Sequence, residues 1–200
     1  MRALPNILTV GRLALSLLVF FALAAAGGGW PAASWRGALE LAAFVAFAVA
    51  AVTDFFDGWL ARRWDVVSVW GAILDPIADK VLICAAILGL LVAAPSLDLA
   101  IPAALILFRE FAISALREVT AGRSISLPVT LLAKWKTTIQ LVALGAEMIA
   151  TAPDAFGLPA AARPASILGA DILLWIAAGV TLITGAQYLA QARRALAARV

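Results

Sequence analysis

Six apolar runs, each about as long as a bilayer core is thick, constrain this chain more than any other feature. Hydropathy places them at Ile7–Ala26, Leu39–Trp59, Ala72–Ala93, Leu97–Leu116, Leu131–Ala150 and Ile167–Leu189. A helix needs ~20 apolar residues to cross a hydrocarbon core about 30 Å thick, and each run has that length. The breaks between them carry strong turn signals: Gly27-Gly28-Gly29 with Pro31, then Pro95-Ser96, Gly122 to Pro128, and Pro153 to Pro164. The expected fold is all-α, a polytopic membrane protein with six transmembrane helices. It reads as a single membrane domain over residues 1–200, with no internal repeat. A chain that is 64% hydrophobic and 14% charged fits no soluble class. The first run is too long for a signal-peptide core and is expected to stay as a helix.

Basic residues set the orientation. Arg36 and Arg163 lie in the odd loops. The termini, the even loops and the adjoining helix ends hold twelve: Arg2, Arg12, Arg62, Arg63, Lys80, Arg117, Arg123, Lys134, Lys136, Arg193, Arg194 and Arg199. Both termini are therefore expected in the cytoplasm. There is no histidine, which excludes histidine-bound metals and histidine acid–base chemistry. The single cysteine, Cys84, cannot form an intrachain disulfide and reads as a small core hydrophobe. The net charge of +3 fits anionic lipid or phosphate partners, although positive-inside loops give the same bias. Nothing points to nucleic acid.

Against this background the stretch Val52–Lys80 stands out, because it places Asp54, Asp57, Asp75 and Asp79 within apolar segments. Each charge at a helix centre costs roughly 2.5–3.5 kcal/mol on insertion scales, so partners are required. Arg62, Arg63 and Lys80 are near in sequence, and bound cations are the expected partners. Asp54 lies about 12 Å in from Arg62 along the second helix, which puts the aspartates at the cytoplasmic membrane edge. At about 100° per residue, Asp54, Asp57, Gly58, Ala61 and Arg62 share one helix face, and Gly71, Asp75, Ala78 and Asp79 share another. A short linker of roughly Arg63 to Trp70 makes the two helices antiparallel neighbours. Four carboxylates on facing helices can hold two hard divalent cations, Mg²⁺ or Mn²⁺, which stabilise both oxygens of an in-line displacement at phosphorus. Gly58 and Ala61 leave room for a ligand against the backbone, and Arg62 can pair with a phosphate. Gly58 and Gly71 taken alone would read as close helix packing.

The pattern Asp54-x-x-Asp57-Gly58-x-x-Ala61-Arg62, eight residues, then Gly71-x-x-x-Asp75-x-x-x-Asp79 resembles the signature of the CDP-alcohol phosphatidyltransferases. The resemblance implies six transmembrane helices, a homodimer, two divalent metals per site, and attack of an alcohol on a CDP-linked lipid with release of CMP. It implies that Asp54, Asp57 and Asp75 mainly bind metal, while Asp79, also at the metals, is the general base. Asn6, Thr9, Gly58, Ala61, Arg62 and Gly71 are then expected to bind the CDP-lipid, from a bacterial cytoplasmic membrane with the site facing the cytoplasm. Three further segments resemble the bacterial members of the family whose acceptor is glycerol 3-phosphate: Leu4–Arg12, Arg109-Glu110 through Ser114 to Arg117-Glu118, and Leu132 to Gln140. Residues beyond Ala150 match nothing in that resemblance, so the sixth helix rests on hydropathy.

A dianionic acceptor phosphate needs cations beyond those that offset the aspartates, and Arg109, Arg117, Lys134 and Lys136 are the expected set. Arg109 is the most telling, because it lies about eight residues deep from Arg117 and is too far in to snorkel. The expected reaction is phosphatidyl transfer from CDP-diacylglycerol to glycerol 3-phosphate. Open alternatives are the same family with inositol phosphate, serine or a phosphatidylglycerol acceptor, a membrane prenyltransferase, and an ion-coupled transporter.

Overall fold

Six long helices account for almost all of the chain in the computed structural model, which describes residues 4–29, 33–64, 69–123 and 131–197. The side chains of residues 4–8, 54–64, 69–73, 75–76, 131 and 134 lie outside that description. The helices are α1 (Leu4–Gly28), α2 (Arg36–Trp64), α3 (Val69–Ala93), α4 (Leu97–Gly122), α5 (Leu131–Thr151) and α6 (Arg163–Ala197), with short 3₁₀ turns at Ala33–Trp35 and Ala160–Ala162. Each expected span falls inside one helix. Among the described residues, four segments are long and apolar enough to cross a membrane: Thr9–Gly28, Ala33–Thr53, Leu97–Gly122 and Ala160–Ala197.

The ends follow from local chemistry. Gly29, at φ +68°, provides the left-handed turn that stops α1. Ser96 caps α4 by accepting a hydrogen bond from the Leu99 N–H at 3.1 Å, with Asp98 in the first turn where the helix dipole favours it. The 29 residues of α2 extend about 43 Å, longer than a bilayer core, as its run of apolar residues followed by Arg62 predicts.

α1 packs between α2 and α3, and α6 packs against α4 and α5; α5 joins the two groups through α2 and α3. The shared core includes Val19, Leu23, Phe47, Leu82, Ile87, Leu90, Ile106, Leu144 and Leu174. Large apolar side chains such as Leu17, Phe21, Phe108, Phe111, Leu168 and Ile172 face outward. A surface with so much exposed apolar area is stable only where the solvent is lipid. The chain is membrane-embedded.

The contact of α1 with α3 is close enough to need glycine. A Cβ on Gly27 would sit 2.5 Å from the Ala93 Cα and 2.6 Å from the Val92 carbonyl oxygen. Backbone cannot yield as a side chain can, so Gly27→Ala is expected to destabilise the fold by about 1–3 kcal/mol. A Cβ on the next residue, Gly28, meets nothing within 4 Å. Unfolding midpoints of Gly27→Ala and Gly28→Ala in detergent test this, and equal midpoints would show that the two helices can part without cost.

Candidate active site

Asp79 stands on α3 where that helix faces the first turns of α1, and one partner comes from near the start of the chain. Arg12 Nη1 donates to Asp79 Oδ1 at 2.8 Å; the arginine is 1% exposed and the aspartate side chain 42% exposed. A guanidinium this deeply buried requires a counter-charge, and the pair provides it. Arg62 and Arg63, cations near the aspartates in sequence, have side chains outside the described residues. Among the described residues, the charge that Asp79 meets lies 67 positions away. Thr9, one turn before Arg12, is buried as well. Behind the pair, Arg12, Asp79, Leu82, Ile83, Thr137 and Leu141 enclose a cavity of about 10 Å³, room for roughly one water molecule.

Lys80, the next residue, turns outward and donates to Ser114 Oγ at 2.5 Å, tying α3 to α4. Cys84 has a free thiol and lines an apolar groove of about 450 Å³ with Leu17, Lys80 and Leu88, so it is partly exposed instead of fully packed in the core.

The second cluster is built around Glu110 on α4, whose Oε1 accepts from three donors. Lys136 Nζ on α5 bonds it closely. Arg109 Nη1 donates at 3.2 Å and Gln140 Nε2 at 3.2 Å. Arg109 Nη2 donates to Thr184 Oγ1 on α6 at 3.1 Å, and Gln140 Nε2 to Thr181 Oγ1 at 2.7 Å. Arg109 and Arg117 both lie over the ring of Tyr188, with Cζ 5.8 Å and 5.9 Å from its centroid, in cation–π range. Thr137, the residue after Lys136 on α5, lines the same small cavity as Asp79, so α5 borders both clusters. Arg109 and Lys136 share the one carboxylate of Glu110, and Arg117 stands with Arg109 against Tyr188, a local excess of positive charge that suits an anionic ligand.

Glu110, Ser114 and Arg117 stand at i, i+4 and i+7 along α4. The structure divides them among three neighbours: Glu110 turns to α5, Ser114 to α3 and Arg117 to α6. No spacing marked Arg12 as a partner of Asp79, and Gln140, Thr181, Thr184 and Tyr188 were not singled out as site residues. Arg12 and Gln140 stand in segments that carried the resemblance; the last three lie beyond Ala150, where no motif marked them. Asp54, Asp57, Gly58, Ala61 and Arg62 are on α2, and Gly71 and Asp75 on α3, with Asn6 on α1 and Lys134 on α5. Their side chains lie outside the described residues, within which no group of three or more acids or cysteines forms a metal site.

The long helices, the exposed Asp79 beside a cationic cluster, and the α2–α3 aspartate pattern agree with a match to the model of the CDP-alcohol phosphatidyltransferases over residues 2–189. The chain belongs to that family. The match runs into α6, well past the end of the resemblance read from motifs. The CDP-diacylglycerol–glycerol-3-phosphate 3-phosphatidyltransferase of Rickettsia bellii is 38% identical over 92% of each chain. The enzymes of the same name from Cereibacter sphaeroides and Escherichia coli are 36% identical over 95% of each chain, and 43% identical over 70% of this chain and 74% of the relative.

Proposed function

We propose that this protein transfers the phosphatidyl group from CDP-diacylglycerol to glycerol 3-phosphate, giving phosphatidylglycerophosphate and CMP. The observation that carries this reading is the meeting of a half-exposed Asp79 with a cluster of excess positive charge on α4 and α5. A general base must stand beside the site that orients the acceptor's phosphate, and these two features meet that need. The names of the relatives support the same acceptor.

Asp79 takes the proton from the acceptor's primary hydroxyl, and Arg12 holds the carboxylate in place. The hydroxyl oxygen attacks the lipid-side phosphorus, that phosphorus–oxygen bond to CMP breaks, and CMP leaves. Arg109, Arg117, Lys134 and Lys136 hold the acceptor phosphate; Arg109 and Lys136 share Glu110, which leaves the set with more than one net positive charge for a dianion. Asn6, Thr9, Gly58, Ala61, Arg62 and Gly71 form the CDP-lipid site. The donor set of four carboxylates suits hard divalent cations: Asp54, Asp57, Asp75 and Asp79 would hold two Mg²⁺ or Mn²⁺ ions, which when bound supply charge stabilisation at the attacking and leaving oxygens. In this reading the protein is a homodimer in the bacterial cytoplasmic membrane, with six spans, both termini and the active site on the cytoplasmic side.

Purified protein with CDP-diacylglycerol and Mg²⁺ is expected to release CMP when offered glycerol 3-phosphate, and not with serine, inositol phosphate or phosphatidylglycerol. Release only with another acceptor would overturn the choice of alcohol and keep the family reaction. Absence of CMP with every acceptor would overturn the enzymatic reading.

A further inference from the structure

One face of α6 touches the cationic cluster repeatedly, although no residue of α6 has a part in the chemistry above. Thr181, Thr184, Gly185 and Tyr188 follow at i, i+3, i+4 and i+7, a single stripe, and all four are buried. Ile183 on the opposite side is exposed, and so are Leu182 and Leu189 on the flank of the stripe. Each member of the stripe holds something. Thr184 donates its own hydroxyl to the main chain, to the Val180 oxygen at 3.0 Å or the Thr181 oxygen at 2.9 Å, which leaves its lone pairs for Arg109. The Tyr188 ring lies against both Arg109 and Arg117. Thr181 anchors Gln140, and through it Glu110.

Gly185 is the most specific member. A Cβ there would stand 2.9 Å from the Arg109 Cγ and 3.3 Å from its Nε. At Gly27 the missing Cβ makes room for another helix's backbone; at Gly185 it makes room for an arginine side chain. The glycine seats Arg109 against α6.

We propose that the Thr181–Thr184–Gly185–Tyr188 stripe is the positioning platform of the acceptor-phosphate site. It fixes the spacing of Arg109 and Arg117 and, through Gln140 and Glu110, the place of Lys136. This inference rests on the reading of that cluster as the acceptor-phosphate site. An anion held by several cations gains most when their spacing is set before it arrives, because none of its binding energy then goes into ordering long side chains.

The test is steady-state kinetics on the full chain in lipid vesicles, varying each substrate in turn. Gly185→Ala is expected to raise KM for glycerol 3-phosphate about 10- to 100-fold, as a displacement of ~1 Å at a binding group can, with KM for CDP-diacylglycerol changed by less than about twofold. Gly179→Ala on the same helix, where a Cβ meets nothing within 4 Å, is expected to behave as wild type. Tyr188→Phe keeps the ring and should retain the acceptor KM, while Tyr188→Leu should lose it; this pair decides the matter if Gly185→Ala does not fold. A purely structural role would lower thermal stability in Gly185→Ala and Tyr188→Leu with the acceptor KM unchanged, and that result would overturn the proposal. Arg117→Ala separates the two levels. An unchanged acceptor KM in Arg117→Ala would sink the acceptor-site reading itself. A raised KM there, with normal values in Gly185→Ala and Tyr188→Leu, would sink only the platform.

Discussion

Asp79→Asn is expected to remove nearly all turnover from a protein that remains folded and still binds CDP-diacylglycerol. The replacement is isosteric, and its carbonyl oxygen can still accept the hydrogen bond that Arg12 Nη1 now makes at 2.8 Å. It cannot accept a proton, and loss of a positioned general base costs about 10²–10⁴-fold in rate. Loss of one of four carboxylates from the proposed metal site would add to that. The fold bears a smaller burden. Breaking a fully buried ion pair costs about 3–5 kcal/mol. Here the Asp79 side chain is 42% exposed and water shares its charge, so the loss should fall below that range. CMP release in a single turnover, thermal unfolding and retention of CDP-lipid measure the three outcomes separately. Turnover within tenfold of wild type would take the proton transfer away from Asp79.

The same pair shows what was legible in the sequence and what was not. Six helices could be read because ~20 consecutive apolar residues have few other uses, and each run lies inside a helix of the structure. The aspartate pattern could be read because its charges are costly where they stand. Partner choice could not. Arg12 and Asp79 meet because α1 lies against α3, and no local spacing announces a contact across 67 positions. Arg109 illustrates a milder case. Its depth fits its burial in the structure, but depth does not say in which direction it faces. The structure turns it to Glu110 and to α6. The α6 stripe was invisible for a different reason: two threonines, a glycine and a tyrosine in an apolar run cost too little to stand out from ordinary membrane-helix composition.

Glu110→Ala is expected to produce the largest loss of stability among changes to the cluster. One oxygen, Oε1, accepts from Arg109, Lys136 and Gln140, and the side chain is 11% exposed. Its removal leaves two buried cations facing each other without a counter-charge, at a cost of about 3–5 kcal/mol. Against a total stability of about 5–15 kcal/mol, that should visibly lower the unfolding midpoint. Glu110→Gln keeps an acceptor but no charge and should fall between the two. The double variant Glu110→Ala with Lys136→Met removes an anion and a cation together, and replacing both members of a buried pair by apolar groups is often neutral. Its midpoint should return most of the way to wild type. Its activity should not, since Lys136 is one of the charges assigned to the acceptor phosphate, and KM for glycerol 3-phosphate should stay raised. Recovery of both stability and acceptor affinity in the double variant would show that Lys136 serves only to neutralise Glu110. The positive charge for the phosphate would then have to come from Arg109, Arg117 and Lys134.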